Sequence, residues 1–90
     1  MKESTLVNNI LKYLNGLPKC KAIKRHGGMF GRAGEPDITG CKDGKHFEIE
    51  VKVPWKMPTE IQLQRMKEWT NAGALVFVAH ELWHVKENIN

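Results

Sequence analysis

The stretch from Pro36 to Ala79 constrains the fold of this chain more than any other. Pro36–Cys41 is short and apolar, and His46–Val53 is strand-like, with Lys42-Asp43-Gly44-Lys45 between them. Asp-Gly between two such runs predicts a two-residue type I′ hairpin. Pro54 and Pro58 stop the second strand. Thr59 is placed to cap a helix running to Asn71, and Gly73 to end it as a left-handed C-cap. Ala74–Ala79 is continuously apolar, as a buried central strand would be. A strand–helix–strand step predicts that the strands on either side are parallel, with a right-handed crossover. The sheet should therefore be mixed.

The flanks complete the expected order α-β-β-β-α-β-α. Leu6, Val7, Ile10, Leu11 and Leu14 recur at helical spacing, with Ser4 or Thr5 as cap and Gly16 and Pro18 as the stop. Cys20–His26 reads as a short edge-like strand. Gly27, Gly28, Gly31 and Gly34 read as a flexible loop, and Glu81–Asn90 as a short helix. No repeat or low-complexity segment interrupts the chain. Ninety residues predict one domain, 1–90, too short for a two-domain kinase or dehydrogenase or a (β/α)8 barrel.

No apolar run reaches the roughly 18–20 residues that cross a bilayer. The start, with Asn and Lys among its apolar residues, does not read as a signal peptide. Two cysteines without a CxxC pair are no disulfide framework. These features predict a cytoplasmic protein with reduced thiols and no membrane partner.

The formal charge of +4 is unevenly spread. Residues 1–45 hold nine basic and four acidic side chains, and the rest hold five and six. Between Ser4 and Gly34 there is no Asp or Glu, but there are Lys12, Lys19, Lys21, Lys24, Arg25 and Arg32. Such a block either forms an ordinary solvated face or binds a polyanion by neutralising phosphates.

A carboxylate cluster follows it. Residues two apart share one face of a strand. Phe47, Ile49, Val51 and Val53 therefore face the core, and Glu48, Glu50 and Lys52 should lie on the exposed side. The hairpin brings Asp37 towards Glu50. Two converging carboxylates repel unless a proton or a cation intervenes, and oxygen ligands suit Mg²⁺ or Mn²⁺. Such an ion can acidify an attacking water beside a phosphate, with Lys52 placed to orient it. Glu48, on the same face, competes for this role or is only a solvated residue.

Pro36-Asp37 followed by Glu50-Val51-Lys52, with a helix on either side, resembles the PD-(D/E)XK nuclease pattern. More narrowly, the chain resembles the VRR-NUC group of that superfamily. The narrower match rests on Glu3 at the start of the first helix and on the lead-in Gly31-Arg32-Ala33-Gly34-Glu35-Pro36-Asp37. It also rests on Glu50-Val51-Lys52 with its Pro-containing connector, on the step from Thr59 to Gln62, and on Ala72-Gly73-Ala74-Leu75-Val76.

The resemblance implies an α/β, restriction-endonuclease-like core, a small mixed sheet flanked by helices. It implies Mg²⁺- or Mn²⁺-dependent hydrolysis of DNA phosphodiesters, in the manner of phage or bacterial structure-selective nucleases. The expected substrate is a four-way (Holliday) junction or other branched DNA, and the expected assembly a homodimer. Asp37 and Glu50 become metal ligands by this resemblance, joined by the backbone carbonyl of Val51 and by Glu3, directly or through water. Lys52 becomes the catalytic lysine, and Gln62 a support for it or for a phosphate. Taken alone, Glu3 is a first-turn carboxylate that favours the helix dipole, and Gln62 a solvated helix residue.

Lys21, Lys24, Arg25, His26 and Arg32 flank the glycine loop and would contact phosphates without reading bases. A rival expectation is a catalytically idle module of the same fold that holds branched DNA or a protein. Flap, nicking or RNA-directed cleavage are further variants. Cys20, His26, Cys41 and His46 fit no usual zinc spacing. Trp55, Trp69 and Trp83 read as packing or interface residues, with Trp55 the most exposed candidate for contact with DNA or a partner.

Overall fold

The computed structural model describes residues 1–26 and 31–90. Gly27 and Gly28, two glycines of the expected loop, lie outside the described residues. The elements are α1 (Glu3–Asn15), β1 (Cys20–Lys24), β2 (Ile38–Lys42), β3 (Lys45–Val51), α2 (Glu60–Asn71), β4 (Leu75–Ala79) and α3 (Leu82–Asn88). The order is the one the sequence predicts.

The four strands form one mixed sheet in the order β1-β2-β3-β4. β1 and β2, and then β2 and β3, pair antiparallel, while β3 and β4 pair parallel. Asp43 and Gly44 both have positive φ, 51° and 82°, as a type I′ turn requires. Lys42 faces Lys45 across this turn, and Ile38 faces Ile49.

One face of the sheet carries the apolar core. Ile38, Phe47, Ile49, Val51 and Ala79 meet Leu6, Val7, Ile10 and Leu14 of α1 and Val85 of α3. Gly40, opposite Phe47, makes room for that ring: a Cβ there would lie 2.5 Å from it and 2.4 Å from the Lys21 carbonyl oxygen. α2 covers the other face with Gln62, Arg65, Met66 and Trp69, an i, i+3, i+4, i+7 stripe that is half-buried throughout.

Three expectations are corrected. α1 starts at Glu3, with Lys2 as N-cap and no side-chain cap, so neither Ser4 nor Thr5 caps it. Glu3 in the first turn instead sets a negative charge against the helix dipole. β4 is an edge strand rather than a central one. Its apolar run reflects cover on both faces, from the core on one and α2 on the other. Finally, the second face of β3 is not exposed. Glu48 is 0% and Glu50 1% accessible, because α2 and the segment before β2 close over them.

That segment is also tied down where it is described. Arg65 Nε donates to the Ala33 carbonyl at 3.1 Å, Trp69 Nε1 to Glu35 at 3.1 Å, and Arg32 pairs with Glu68 at 3.2 Å. Gly34 has φ +82°, and a Cβ there would come within 3.1 Å of the Ile61 backbone. Among the described residues no helix is long and apolar enough to cross a membrane.

Candidate active site

The hairpin register sets Asp37, just before Ile38, against Glu50, just after Ile49. Asp37 Oδ2 accepts a 2.8 Å hydrogen bond from the Val51 N–H, which fixes that carboxylate at the end of the β2–β3 ladder. Asp37 is close enough for its charge to act on Glu50, and Lys52 Nζ is 3.9 Å from Glu50 Oε2. The Lys52 side chain is 13% exposed, so it lies mostly within the fold beside Glu50. On this face β4 sets Val78 opposite Glu50 and Val76 opposite Glu48.

Glu50 sits in a costly place for a charge. Burial first, then the Asp37 carboxylate beside it, push its pKa up to about 8; Lys52 pulls the other way and Glu3 adds a small push. Glu50 Oε1 is buried with no hydrogen-bond partner among the described residues. Buried carboxylate oxygens are normally satisfied, so an orphan on a carboxylate that faces a second one across the hairpin is consistent with room for a cation.

A hard divalent ion fits this donor set. Two carboxylates, one with an orphaned oxygen, lie beside a lysine, and ions such as Mg²⁺ keep several waters as their remaining ligands. Among the described residues no group of three or more His, Cys, Asp or Glu side chains is gathered to hold a metal. The fit is therefore to an ion held by few protein groups, not to a closed site such as structural zinc. Glu3, half-buried at the start of α1, is near enough for its charge to reach Glu50.

A second polar cluster, which the sequence reading missed, lies two residues back on the same face. Glu48 forms a two-pronged ion pair with Arg25 and accepts from Thr39 Oγ1 at 2.5 Å. His46 Nε2 lies 2.5 Å from the same carboxylate. Arg25 Nη1 also donates to the Pro36 carbonyl at 3.0 Å, and its guanidinium lies 5.1 Å from the Trp69 ring centroid. Trp69 stacks on His46 at 5.0 Å. Cross-strand pairing makes Thr39 predictable, since it faces Glu48. Arg25 and Trp69 come from other elements, and no local pattern announces them.

The remaining candidates are scattered around the centre. Lys21, Lys24 and His26 are exposed on and beyond β1, and Arg32 is exposed with its guanidinium on Glu68. Arg25 is turned inward onto Glu48. Gln62 closes a capping box: its Oε1 accepts from the Thr59 N–H at 2.9 Å, and its own N–H donates to Thr59 Oγ1 at 3.3 Å. A cavity of about 530 Å³ opens onto Asp37, lined by Arg25, His26, Arg32, Glu35 and Pro36 among others.

No protein-family model matches the sequence, and no curated protein matches it. Solved structures do. A structure described as a VRR_NUC domain superposes with a TM-score of 0.79 at 24% identity, over 94% of this chain and 90% of its own. A second, described as a VRR_NUC domain protein, gives 0.73 at 16% identity, over 99% and 88%. Hjc, a Holliday junction resolvase from the archaeal hyperthermophile Archaeoglobus fulgidus, gives 0.65 at 20% identity, over 84% of this chain and 65% of its own. The α/β fold of this chain, with a four-stranded mixed sheet and three helices among the described residues, is the restriction-endonuclease-like fold of the VRR_NUC domain structures and of Hjc.

Proposed function

We propose that residues 1–90 form a single VRR-NUC nuclease domain of the PD-(D/E)XK type, which hydrolyses DNA phosphodiester bonds. The observation that carries this reading is the orphaned, buried Oε1 of Glu50 beside Asp37 and Lys52. A structural ion pair would satisfy both oxygens, as Arg25, Thr39 and His46 do for Glu48. Glu50 is instead left incomplete, at the position where the sequence motif expects a metal ligand.

Asp37, Glu50 and the Val51 carbonyl would hold Mg²⁺ or Mn²⁺, with Glu3 contributing directly or through water. A bound ion of this kind acidifies water and offsets phosphate charge. Lys52 is the group that orients the attacking water and meets the developing negative charge on the phosphate. Gln62 stabilises the start of α2, behind the site. Lys21, Lys24, His26 and Arg32 offer charge and donors to the DNA backbone, and Arg25 holds the end of their strand in place.

The junction-resolvase character of Hjc supports four-way or otherwise branched DNA as the substrate. Symmetric cutting of two strands then calls for a homodimer, with two sites related by a two-fold axis. The test is incubation of purified protein with four-way, flap, splayed and continuous duplex DNA in Mg²⁺ or Mn²⁺, alongside Lys52→Ala. Cutting of branched DNA by the wild type, lost in the variant with binding retained, supports the proposal. Binding without cutting in both proteins would make the chain an idle DNA-holding module.

A further inference from the structure

Trp55 stands out from the other aromatic residues. It is 73% exposed, while Trp69 is enclosed in the Arg25 cluster. Leaving so much aromatic surface in water is unfavourable, and the fold provides it no cover. The backbone that carries the ring is nonetheless tied down. Pro54 and Trp55 form the tip of a turn closed by a 3.0 Å hydrogen bond from the Lys56 N–H to the Val53 carbonyl. His80 Nδ1 lies 3.2 Å from the Lys52 carbonyl and 3.3 Å from the Val53 carbonyl, which anchors the base of the turn to β4.

The ring borders a cavity of about 430 Å³ lined by Met1, Lys2, Glu3, Val53, Trp55 and Lys56. This cavity is distinct from the one that opens onto Asp37. Its inner wall is Glu3 and Val53, which adjoin the carboxylate site; its outer wall carries two lysines. An aromatic platform flanked by cations, in a cavity of small-ligand size, matches what a single unpaired nucleotide needs: a π-face for the base and positive charge for its phosphate. A base stacked between its neighbours inside a continuous duplex cannot offer its face to the ring.

We infer that the Trp55 cavity, with Lys2 and Lys56, is a subsite for one unpaired nucleotide adjoining the scissile phosphate. This rests on the nuclease reading and narrows its substrate class. The strand to be cut enters with at least one base out of the stack, as at branch points and single-stranded flanks, and not as continuous duplex.

The test measures binding in chelator, where nothing is cut, so that it is independent of activity. Fluorescein-labelled oligo-dT, its duplex with oligo-dA, and oligo-rU are titrated with wild type, Trp55→Phe and Trp55→Ala, while sedimentation follows the oligomeric state. Trp55→Ala is expected to weaken oligo-dT binding about tenfold, as loss of one stacked base does, with duplex binding within about twofold of wild type. Trp55→Phe should retain most of the affinity. The same tenfold loss on oligo-rU supports a base-stacking subsite shared by both sugars. Equal losses on single strand and duplex, or no loss at all, overturn the inference. A change in association state with unchanged oligonucleotide binding also overturns it and makes Trp55 a protein contact. If the wild type binds oligo-dT through Trp55 yet cuts no DNA in Mg²⁺ or Mn²⁺, the nuclease reading fails while the subsite stands.

Discussion

Arg25 reaches from the end of β1 to grip Glu48 with both guanidinium nitrogens, at a carboxylate with no solvent exposure. The same Arg25 holds the Pro36 carbonyl, next to Asp37. A buried ion pair therefore fastens the strand bearing the basic residues to the segment bearing the first carboxylate of the site.

Breaking that pair from one side should be severe, because the partner charge is left buried. Arg25→Ala or Glu48→Ala is expected to lower unfolding stability by about 3–5 kcal/mol. The double variant should lose less than the sum of the two, since neither charge is then stranded. Chemical denaturation of the three proteins, analysed as a double-mutant cycle, measures this. Additive losses would show that the two side chains are not energetically coupled.

Glu50 makes metal-free stability depend on pH. Its ordinary pKa is 4.5 and its folded value is about 8, so between these limits the folded chain keeps a proton that the unfolded chain has released. Its contribution is fully present below pH 4.5 and is lost as the pH rises through about 8. Thermal melts in chelator should show a Glu50-dependent fall in melting temperature across this window. The fall should flatten in Glu50→Gln. Identical pH profiles for the two proteins would count against the raised pKa.

Lys52→Ala should separate chemistry from binding. Loss of a positioned charge or proton-transfer group lowers rates by roughly 10²–10⁴-fold. We expect that loss in cleavage of branched DNA, with the melting temperature little changed and junction affinity retained in gel shifts. A cleavage rate within a few-fold of wild type would remove Lys52 from the reaction.

Thr59 and Gln62 share one capping box but should differ in effect. Thr59→Ala and Gln62→Ala are each expected to cost about 1 kcal/mol of stability. If Gln62 also supports the site, only its substitution lowers cleavage beyond what stability explains. Parallel denaturation and cleavage measurements on both variants decide this, and equal activities would leave Gln62 a helix cap alone.

Gly34 is the tightest point between the lead-in loop and α2. With φ +82° and the Ile61 backbone within 3.1 Å of an added Cβ, Gly34→Ala should destabilise the protein by more than about 1 kcal/mol. Gly44 has the same φ but open space around it. Gly44→Ala therefore carries only the backbone strain, and the difference between the two variants in urea reports the steric contact.

The elements that sequence reading located share a local cause. Asp43-Gly44 and the Thr59 cap act within a few residues, and both are found in the structure where their residue types place them, while the sequence reading does not anticipate the reciprocal bond between Gln62 and the Thr59 N–H. The expectations that failed depend on what lies across the sheet. Ala74–Ala79 reads as central because burial on both faces looks the same in sequence at the edge of a covered sheet. Glu48 and Glu50 read as exposed because charge on alternate positions ordinarily means solvent. Here Trp69 of α2 and Arg25, just past β1, 21 and 23 residues away from Glu48, close that face. The carboxylate–lysine motif was legible as a pattern, but the orphaned oxygen of Glu50 is a property of packing alone.

The two-residue turn at Asp43-Gly44 acts as a ruler for the site. It fixes Ile38 against Ile49 and so brings Asp37 to Glu50. Because side chains alternate along a strand, one residue inserted there would slip the register and turn one carboxylate away from the other. The turn projects into solvent and touches neither carboxylate, yet it should be as intolerant of length change as the site itself.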